Sequence, residues 1–491
     1  MRLIFQGHDY RYAVEQSLLA FFPAERPVYE GEDASTARIT LTAGKRFHTA
    51  VTELSMDGRT ARGEARRDLT AAADDYERER LRQRAVKLSF FKAARSLTGR
   101  TPAWGALTGI RPAKLAASLL EEGHSPAAAD RILRDTYFVS AQRRQLALQC
   151  AQAGLEAQQE LEREDISLYM GIPFCPTRCA YCSFVSNSVE KTFHLVEPYV
   201  EALLAEIDSA ADLVRDLGLR VKSFYMGGGT PTTLSARQLE RLLKRLEERF
   251  DLSDTVERTV EAGRPDTITE EKLRVLRANG VTRVSVNPQT MDDHVLAAIG
   301  RRHTAQDIRR AMDMVDRAGF AHVNMDLIAG LPEDRPDSFR RTLDEVIAFG
   351  TDNITIHTLS LKKGSRITLE GTRLPTEEEV AEMLDYANPA LRAAGFGPYY
   401  LYRQKYMSGS FENVGWCRPG GTGWYNIYIM EELHSILSLG AGGSTKMVDP
   451  AANRIERVFN LKFPQEYIQR PEKIQANQEA FRAFYHQPPE R

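Results

Sequence analysis

From about residue 167 the chain alternates short β-rich runs with helical patterns of ~10–20 residues, which is the sequence sign of βαβ units. The runs are 167–170, 223–226, 258–261, 283–287, 322–328 and 353–358. They predict an α/β fold in which six parallel strands with intervening helices form a partial (β/α)6 barrel, whose chemistry belongs at the C-terminal strand ends. Ahead of it, residues 2–6 read as a strand and 9–22 as an amphipathic helix. Residues 38–42 and 46–54 read as a hairpin around Ala43-Gly44-Lys45. Several helices follow. One near 74–97 is so rich in Glu and Arg that it reads as a solvated face laced with ion pairs. The turn-rich run from Trp104 to Pro112 reads as a packing anchor. After residue 376 come aromatic and glycine-rich stretches and a tail that looks partly irregular. The expected domains are an α+β accessory domain over 1–160, the barrel over 161–375 and a C-terminal extension over 376–491.

Composition narrows the class. The 491 residues are enough for two or three domains with sizeable cores. A hydrophobic content of 42% and a charged content of 27% are ordinary for a globular protein. The net charge of −2 argues against nucleic acid as the main partner. No apolar run approaches the roughly 20 residues of a membrane span, and the first residues lack the apolar stretch of a signal peptide. The expected location is the cytoplasm, where thiols stay reduced.

The sharpest chemical signal is Gly171-Ile-Pro-Phe-Cys-Pro-Thr-Arg-Cys-Ala-Tyr-Cys-Ser-Phe184. Cys175, Cys179 and Cys182 are spaced Cys-x3-Cys-x2-Cys. Structural zinc wants four ligands in closed pairs, and no second pair stands nearby. A disulfide framework does not suit a long chain with 5 cysteines. Three thiolates fit an iron–sulfur cube with one iron left open, since all-cysteine ligation uses four. Cys150 and Cys417 each stand alone and read as packed residues. Gly227-Gly-Gly-Thr-Pro-Thr232 is glycine-rich but is no phosphate loop, because no Gly-Lys-Ser/Thr follows. His303 and His357 are lone histidines, for which a structural role is the commoner reading.

The cysteine motif resembles that of the radical S-adenosylmethionine (SAM) enzymes. From residue 166 to about 362 the chain is similar to their oxygen-independent coproporphyrinogen III dehydrogenase group, through Tyr-Met-Gly-Ile-Pro-Phe-Cys, Gly-Gly-Gly-Thr-Pro-Thr, Pro-Gln-Thr-Met, Ile-Gly-Arg and Asp-Leu-Ile-Ala-Gly-Leu-Pro. Leu-Thr-Gly-Ile-Arg-Pro, His357-Thr-Leu-Ser-Leu-Lys, Tyr399-Tyr-Leu-Tyr-Arg-Gln-Lys-Tyr and Leu439-Gly-Ala-Gly-Gly-Ser-Thr-Lys446 resemble the HemZ branch of that group.

The resemblance implies a [4Fe-4S] cluster on Cys175, Cys179 and Cys182. It implies SAM held by Gly227, Gly228, Gly229 and Thr230 and by Glu261, Gln289, Arg301 and Asp326, the arginine suiting the SAM carboxylate because its fork binds bidentately. Tyr169, the candidate catalytic residue at the end of the first strand, either packs the barrel mouth or touches substrate and cluster. The implied reaction is oxidative decarboxylation of two propionates of coproporphyrinogen III, giving protoporphyrinogen IX through a 5′-deoxyadenosyl radical. Electrons would come from an unidentified donor protein, and the C-terminal extension would cover the substrate. A tetrapyrrole with four carboxylates calls for aromatic walls and cationic anchors. Tyr399 to Tyr406 with Arg403 and Lys405, and the run Lys362-Lys363-Gly-Ser-Arg366, supply both types. Gly440 to Gly443 would allow close approach of a second SAM, although a glycine-rich turn is the commoner reading.

Two departures keep alternatives open. The best-known dehydrogenases of the group carry a fourth cysteine where Phe184 stands, and a phenylalanine there is shared with the haem-chaperone branch. That branch typically carries His-Asn-x-x-Tyr-Trp, which this chain lacks. A haem-binding chaperone without dehydrogenase activity, or a radical SAM enzyme acting on another substrate, are the competing readings.

Overall fold

Four strands open the chain in the computed structural model, which describes every residue except 24, 32, 71, 73, 183–186, 361–372, 405–407 and 487–491. β1 (Arg2–Gln6) runs parallel to β2 (Thr36–Ala43), and β3 (Phe47–Met56) and β4 (Arg59–Asp68) continue the sheet antiparallel. The β2–β3 turn lies where the hairpin was expected, closed by the Gly44 N–H donating to the Phe47 carbonyl at 2.9 Å.

β4 has no apolar run to betray it. Its buried positions are Gly63 and Ala65, and the exposed positions alternating with them, Arg62, Glu64 and Arg66, are charged. Gly63 is required because a Cβ there would lie 2.1 Å from the Ser89 carbonyl on the helix Asp75–Thr98. That helix starts at Asp74, whose side chain accepts from the Glu77 N–H, and ends on left-handed Gly99. Its exposed face carries the ion pairs Arg78–Asp75 and Arg82–Glu79. Trp104 is buried, as a packing anchor should be. This sheet and its helices belong to one compact unit, residues 1–148 with 409–411.

The second unit comprises 149–408 and 412–491. Its parallel strands are β5 (Asp165–Ile172), β6 (Arg220–Gly228), β7 (Glu257–Gly263), β8 (Arg283–Gln289), β9 (His322–Ala329) and β10 (Asn353–Thr358). They neighbour one another in sequence order. All six expected strands are present, five of them extended by one to three residues at one or both ends.

The C-terminal stretch adds β11 (Gly397–Tyr402), β12 (Asn413–Cys417), β13 (Ser435–Leu439), β14 (Ser444–Asp449) and β15 (Arg454–Phe459) to the same sheet. The order is β11-β12-β10-β9-β8-β7-β6-β5-β13-β14-β15. β13 pairs parallel with β5, making a seventh parallel strand that the sequence reading did not foresee. The tail read as partly irregular is regular, closing with the helices Pro464–Gln469 and Pro471–His486.

Helices follow the parallel strands, among them Val196–Asp216, Ala236–Arg249, Glu270–Ala278, Ala305–Ala318 and Pro336–Ala348. Capping boxes at Ser235/Gln238 and Thr304/Asp307 set where two of them begin. Within the strands, alternate positions divide the work. Val284, Val286, Met325, Leu327, Ile354 and Ile356 are buried apolar residues. Between them Ser285, Asn287, Asn324, Asp326, Thr355 and His357 line a cavity. Parallel strands usually read as continuous apolar runs because both faces are covered by apolar residues. This barrel has a polar lumen instead. Among the described residues no helix is long and apolar enough to cross a membrane.

Candidate active site

The loop after β5 carries the three cysteines. Phe174–Cys175 pairs with Asn187–Ser188, so the loop leaves and returns as a two-stranded ladder. Cys175 Sγ lies 3.4 Å from Thr230 Oγ1. The far side is tied by the Ala180 N–H to the Ile299 carbonyl at 3.1 Å. Arg301 donates to the Tyr181 hydroxyl at 3.1 Å and to the Asn287 carbonyl at 2.7 Å, and Cys179 is near enough to act on its guanidinium.

A third tie comes from Arg264, just beyond β7, which donates to both the carbonyl and the hydroxyl of Thr177. All three cysteine thiols are partly exposed, form no disulfide and line one cavity of about 520 Å³. Among the described residues no three His, Cys, Asp or Glu side chains surround a single ion. Thiolates that each bind a different iron of a cube have no need to.

The glycine run ends β6 and packs against the start of this loop. The N–H groups of Gly229 and Thr230 donate to the carbonyls of Ile172 and Phe174, both at 2.8 Å. A Cβ on Gly229 would sit 2.6 Å from the Phe174 oxygen, so only glycine allows this approach. Gly228 takes a φ of +107°. Gly228, Gly229 and Thr230 line the cavity, while Gly227 lies under the Glu261 carboxyl.

Glu261, Gln289, Arg301 and Asp326 all reach the same cavity. Burial pushes the Glu261 carboxyl up to about 7, Asp326 adding to the effect against the Tyr225 hydroxyl, which donates to Glu261 at 2.6 Å. Asp326 goes the other way. Burial opposes its charge, but His357 at 3.8 Å, Asn324 and Thr355 outweigh burial and hold it below the usual carboxylate range. The two carboxyls are thereby set apart, Glu261 close to half protonated near neutrality and Asp326 ionised.

Gln289 has a φ of +70°, a costly left-handed conformation for a side chain of this kind. Gln289 Oε1, Asn287 Oδ1 and Arg301 Nε are buried without a protein partner. Buried polar groups are seldom left so. The mouth therefore suits a ligand bearing amino, carboxylate and hydroxyl groups, as SAM does.

Deeper in, Tyr169, Tyr225 and Tyr425 form a stack, with ring centroids 4.6 Å apart for Tyr225 and Tyr425 and 6.3 Å for Tyr169 and Tyr225. Tyr425 comes from the helix Trp424–Glu431, far along the chain, and was not foreseen. Tyr399, Tyr400 and Tyr402 also line the cavity.

Of the expected anchors, Lys362, Lys363, Arg366 and Lys405 lie outside the described residues, as does Phe184. Arg403 is buried and is not among the described lining residues. The deep cation is instead Arg283, 3% exposed. Its Nη2 donates to the carbonyls of Gly421 and Thr422, Glu257 lies 3.9 Å from Nε, and Nε and Nη1 have no hydrogen-bond acceptor. Asn353, also in the lining, has both amide atoms unpaired.

His303 lies buried outside this cavity, pushed down to about 4 by burial and by Arg301. Gly440 and Ala441 spend their N–H groups on Glu206 and Tyr199, while Gly442 and Gly443 face the cavity.

A profile of the Radical SAM superfamily matches residues 169–346. The oxygen-independent coproporphyrinogen-III oxidase-like protein HemZ of Bacillus subtilis is 36% identical over 404 residues, 81% of this chain and 81% of that protein. The haem chaperone HemW of Mycobacterium tuberculosis is 30% identical over 315 residues, 62% of this chain and 74% of that protein. Among solved structures, coproporphyrinogen III oxidase (HemN) from Escherichia coli, a radical SAM enzyme, is similar with a TM-score of 0.52 and 25% identity, over 66% of this chain and 72% of that one.

Proposed function

Because the chain belongs to the radical SAM superfamily, and within it to the HemZ-like oxygen-independent coproporphyrinogen-III oxidase group, we propose that it decarboxylates coproporphyrinogen III to protoporphyrinogen IX without oxygen. Members of the family use a [4Fe-4S] cluster and SAM. The observation that carries the proposal is the lumen itself, which runs from the cysteine loop past a tyrosine stack to a buried guanidinium. Its volume of about 520 Å³ lies within the range of small-molecule sites.

When bound, the cluster and SAM would supply a 5′-deoxyadenosyl radical able to take a hydrogen atom from a substrate propionate, and transfer of one electron to an external acceptor with release of CO2 would leave a vinyl group. The residues of the chain bind, orient and shield. Cys175, Cys179 and Cys182 would hold three irons. The Gly228–Thr230 backbone would face the amino group of SAM and Arg301 its carboxylate, while Glu261, Gln289 and Asp326 would take the remaining amino and hydroxyl groups. Tyr169, Tyr225 and Tyr425 wall the lumen against water. Arg283, with Asn353, takes a carboxylate of the substrate, which gives an acceptor to a guanidinium nitrogen that lacks one. A separate donor protein supplies the electrons.

A haem-binding role draws support from the HemW relative and from Phe184 in place of a fourth cysteine. One experiment separates the two. The protein is reconstituted anaerobically with iron and sulfide, reduced with dithionite, and given SAM and coproporphyrinogen III. Loss of two CO2 per macrocycle with formation of 5′-deoxyadenosine is the expected result. Stoichiometric haem binding with no vinyl product, or deoxyadenosine formed without decarboxylation, overturns the dehydrogenase reading.

A further inference from the structure

We infer that Arg264 is a positioning residue for the cysteine loop, a buried fork that fixes the stretch between Cys175 and Cys179 through Thr177. The inference rests on the assignment of Cys175, Cys179 and Cys182 as cluster ligands.

The geometry is specific. Arg264 is 3% exposed. Its Nε and Nη2 donate to the two oxygens of Asp266 at 2.9 and 2.6 Å, a bidentate pair. The remaining nitrogen, Nη1, turns to the loop and donates to Thr177 Oγ1 at 2.7 Å and to the Thr177 carbonyl at 3.2 Å. The backbone behind this fork is held too. Pro265 opens a 3-10 turn in which the Thr267 N–H and hydroxyl both return to the Arg264 carbonyl, at 3.0 and 2.8 Å. The guanidinium is thus fixed at its root by the turn and at its head by Asp266, and what it offers Thr177 is a rigid donor.

Position in the loop makes this tie matter. Cys175 is held by the ladder with residues 187–188, and the Cys179–Cys182 end by Ile299 and Arg301. Residues 176–178 bridge the two, and Ser188 Oγ reaches only the carbonyl of Pro176, at 3.1 Å. Arg264 therefore links the loop to the end of β7, the strand that carries Glu261. Asp266 offsets its charge, so its effect on the thiolates is positional rather than electrostatic. Groups that orient metal ligands from behind typically change metal affinity 10- to 100-fold when removed.

The test uses the reconstituted full chain with Arg264→Gln, Arg264→Lys, Thr177→Val and Cys179→Ala. Two quantities are read: the rate of iron release to a chelator, and the electron paramagnetic resonance spectrum of the reduced cluster with and without SAM. Arg264→Gln is expected to release iron about 10- to 100-fold faster and to give a broadened spectrum with a diminished response to SAM. Thr177→Val, which keeps the carbonyl acceptor, should fall between it and the parent. Lysine, a point donor without the fork, should rescue only part of the effect.

Circular dichroism of the apo forms identifies any variant that fails to fold, and Thr177→Val, which leaves the Arg264–Asp266 pair intact, then decides alone. Release rates and spectra unchanged in folded Arg264→Gln and Thr177→Val overturn the positioning role, provided Cys179→Ala has lost the cluster. A full cluster in Cys179→Ala overturns the ligand assignment beneath it.

Discussion

Replacing Glu206 by glutamine isolates the energetic cost of one buried carboxyl. Glu206 is 4% exposed on the helix Val196–Asp216. Its Oε2 accepts from the Gly440 N–H at 2.6 Å and from the Tyr467 hydroxyl at 2.5 Å. Burial pushes it up from 4.5 to about 7, and those two donors limit the rise. The folded protein therefore holds this proton more tightly than the unfolded chain. The stabilisation is complete below pH 4.5 and is lost as pH rises through about 7. At 1.36 kcal/mol per tenfold change in proton affinity, the loss amounts to about 3 kcal/mol above pH 8.

Glutamine keeps an oxygen for both donors and cannot ionise. The variant should thus gain up to about 3 kcal/mol over the parent at pH 8.5, about half of that at pH 5.5 and almost none near pH 4.5. Any fixed penalty from the amide NH2 offsets all three values equally. Urea denaturation of the apo protein at the three pH values, followed by fluorescence and circular dichroism, reads the difference. Glu261 is pushed up in the same direction but is common to both proteins, so it cancels. A difference between variant and parent that does not change with pH refutes the reasoning.

Three further outcomes are expected. Cys179→Ala should abolish the cluster absorbance and SAM cleavage together, as seen by visible spectroscopy and deoxyadenosine release. Gly229→Ala should strain the cysteine loop, because its methyl would press on the Phe174 and Ile172 carbonyls at 2.6 and 2.8 Å. A cost of about 1–3 kcal/mol and a lower iron content after reconstitution should follow. Arg283→Gln should reduce kcat/KM about 10- to 100-fold, mainly through KM, as expected for losing a charged hydrogen-bond partner worth about 1.5–3 kcal/mol. Steady-state kinetics with coproporphyrinogen III checks it, and an unchanged KM would remove Arg283 from the substrate site.

What could be read from the chain was what lies close together along it. The cysteine spacing, the glycine run and the six parallel strands are local patterns, and β10 has the extent read for it, 353–358. Several of the other strands run further into polar or glycine ends, as at Asp165, Gly228 and Gln289, where an apolar run gives no signal. β13 was hidden in a short apolar run beside Gly440, where the glycines drew the reading.

The lumen was partly legible and went unread. Ser285-Val-Asn287-Pro-Gln289, Asn324-Met-Asp326 and Asn353-Ile-Thr355-Ile-His357 place polar groups at every second position, a period-2 pattern that marks a polar inner face. Tyr425 against Tyr225, and Arg264 against Thr177, join positions far apart in the chain, and only the folded sheet brings them into contact.

β5, the strand from which the cysteine loop springs, has β6 on one side and β13 on the other. As a ribosome releases the chain, the first neighbour arrives early and the second only when residues 435–439 emerge. Until then β5 is an open edge, a hazard for wrong pairing, and the loop it carries hangs from a half-built support. Iron loading is therefore expected to come late, after residues 435–439 have emerged. Nascent chains arrested before Ser435 should fail to take up a cluster that chains arrested after Phe459, with enough linker to clear the exit tunnel, accept.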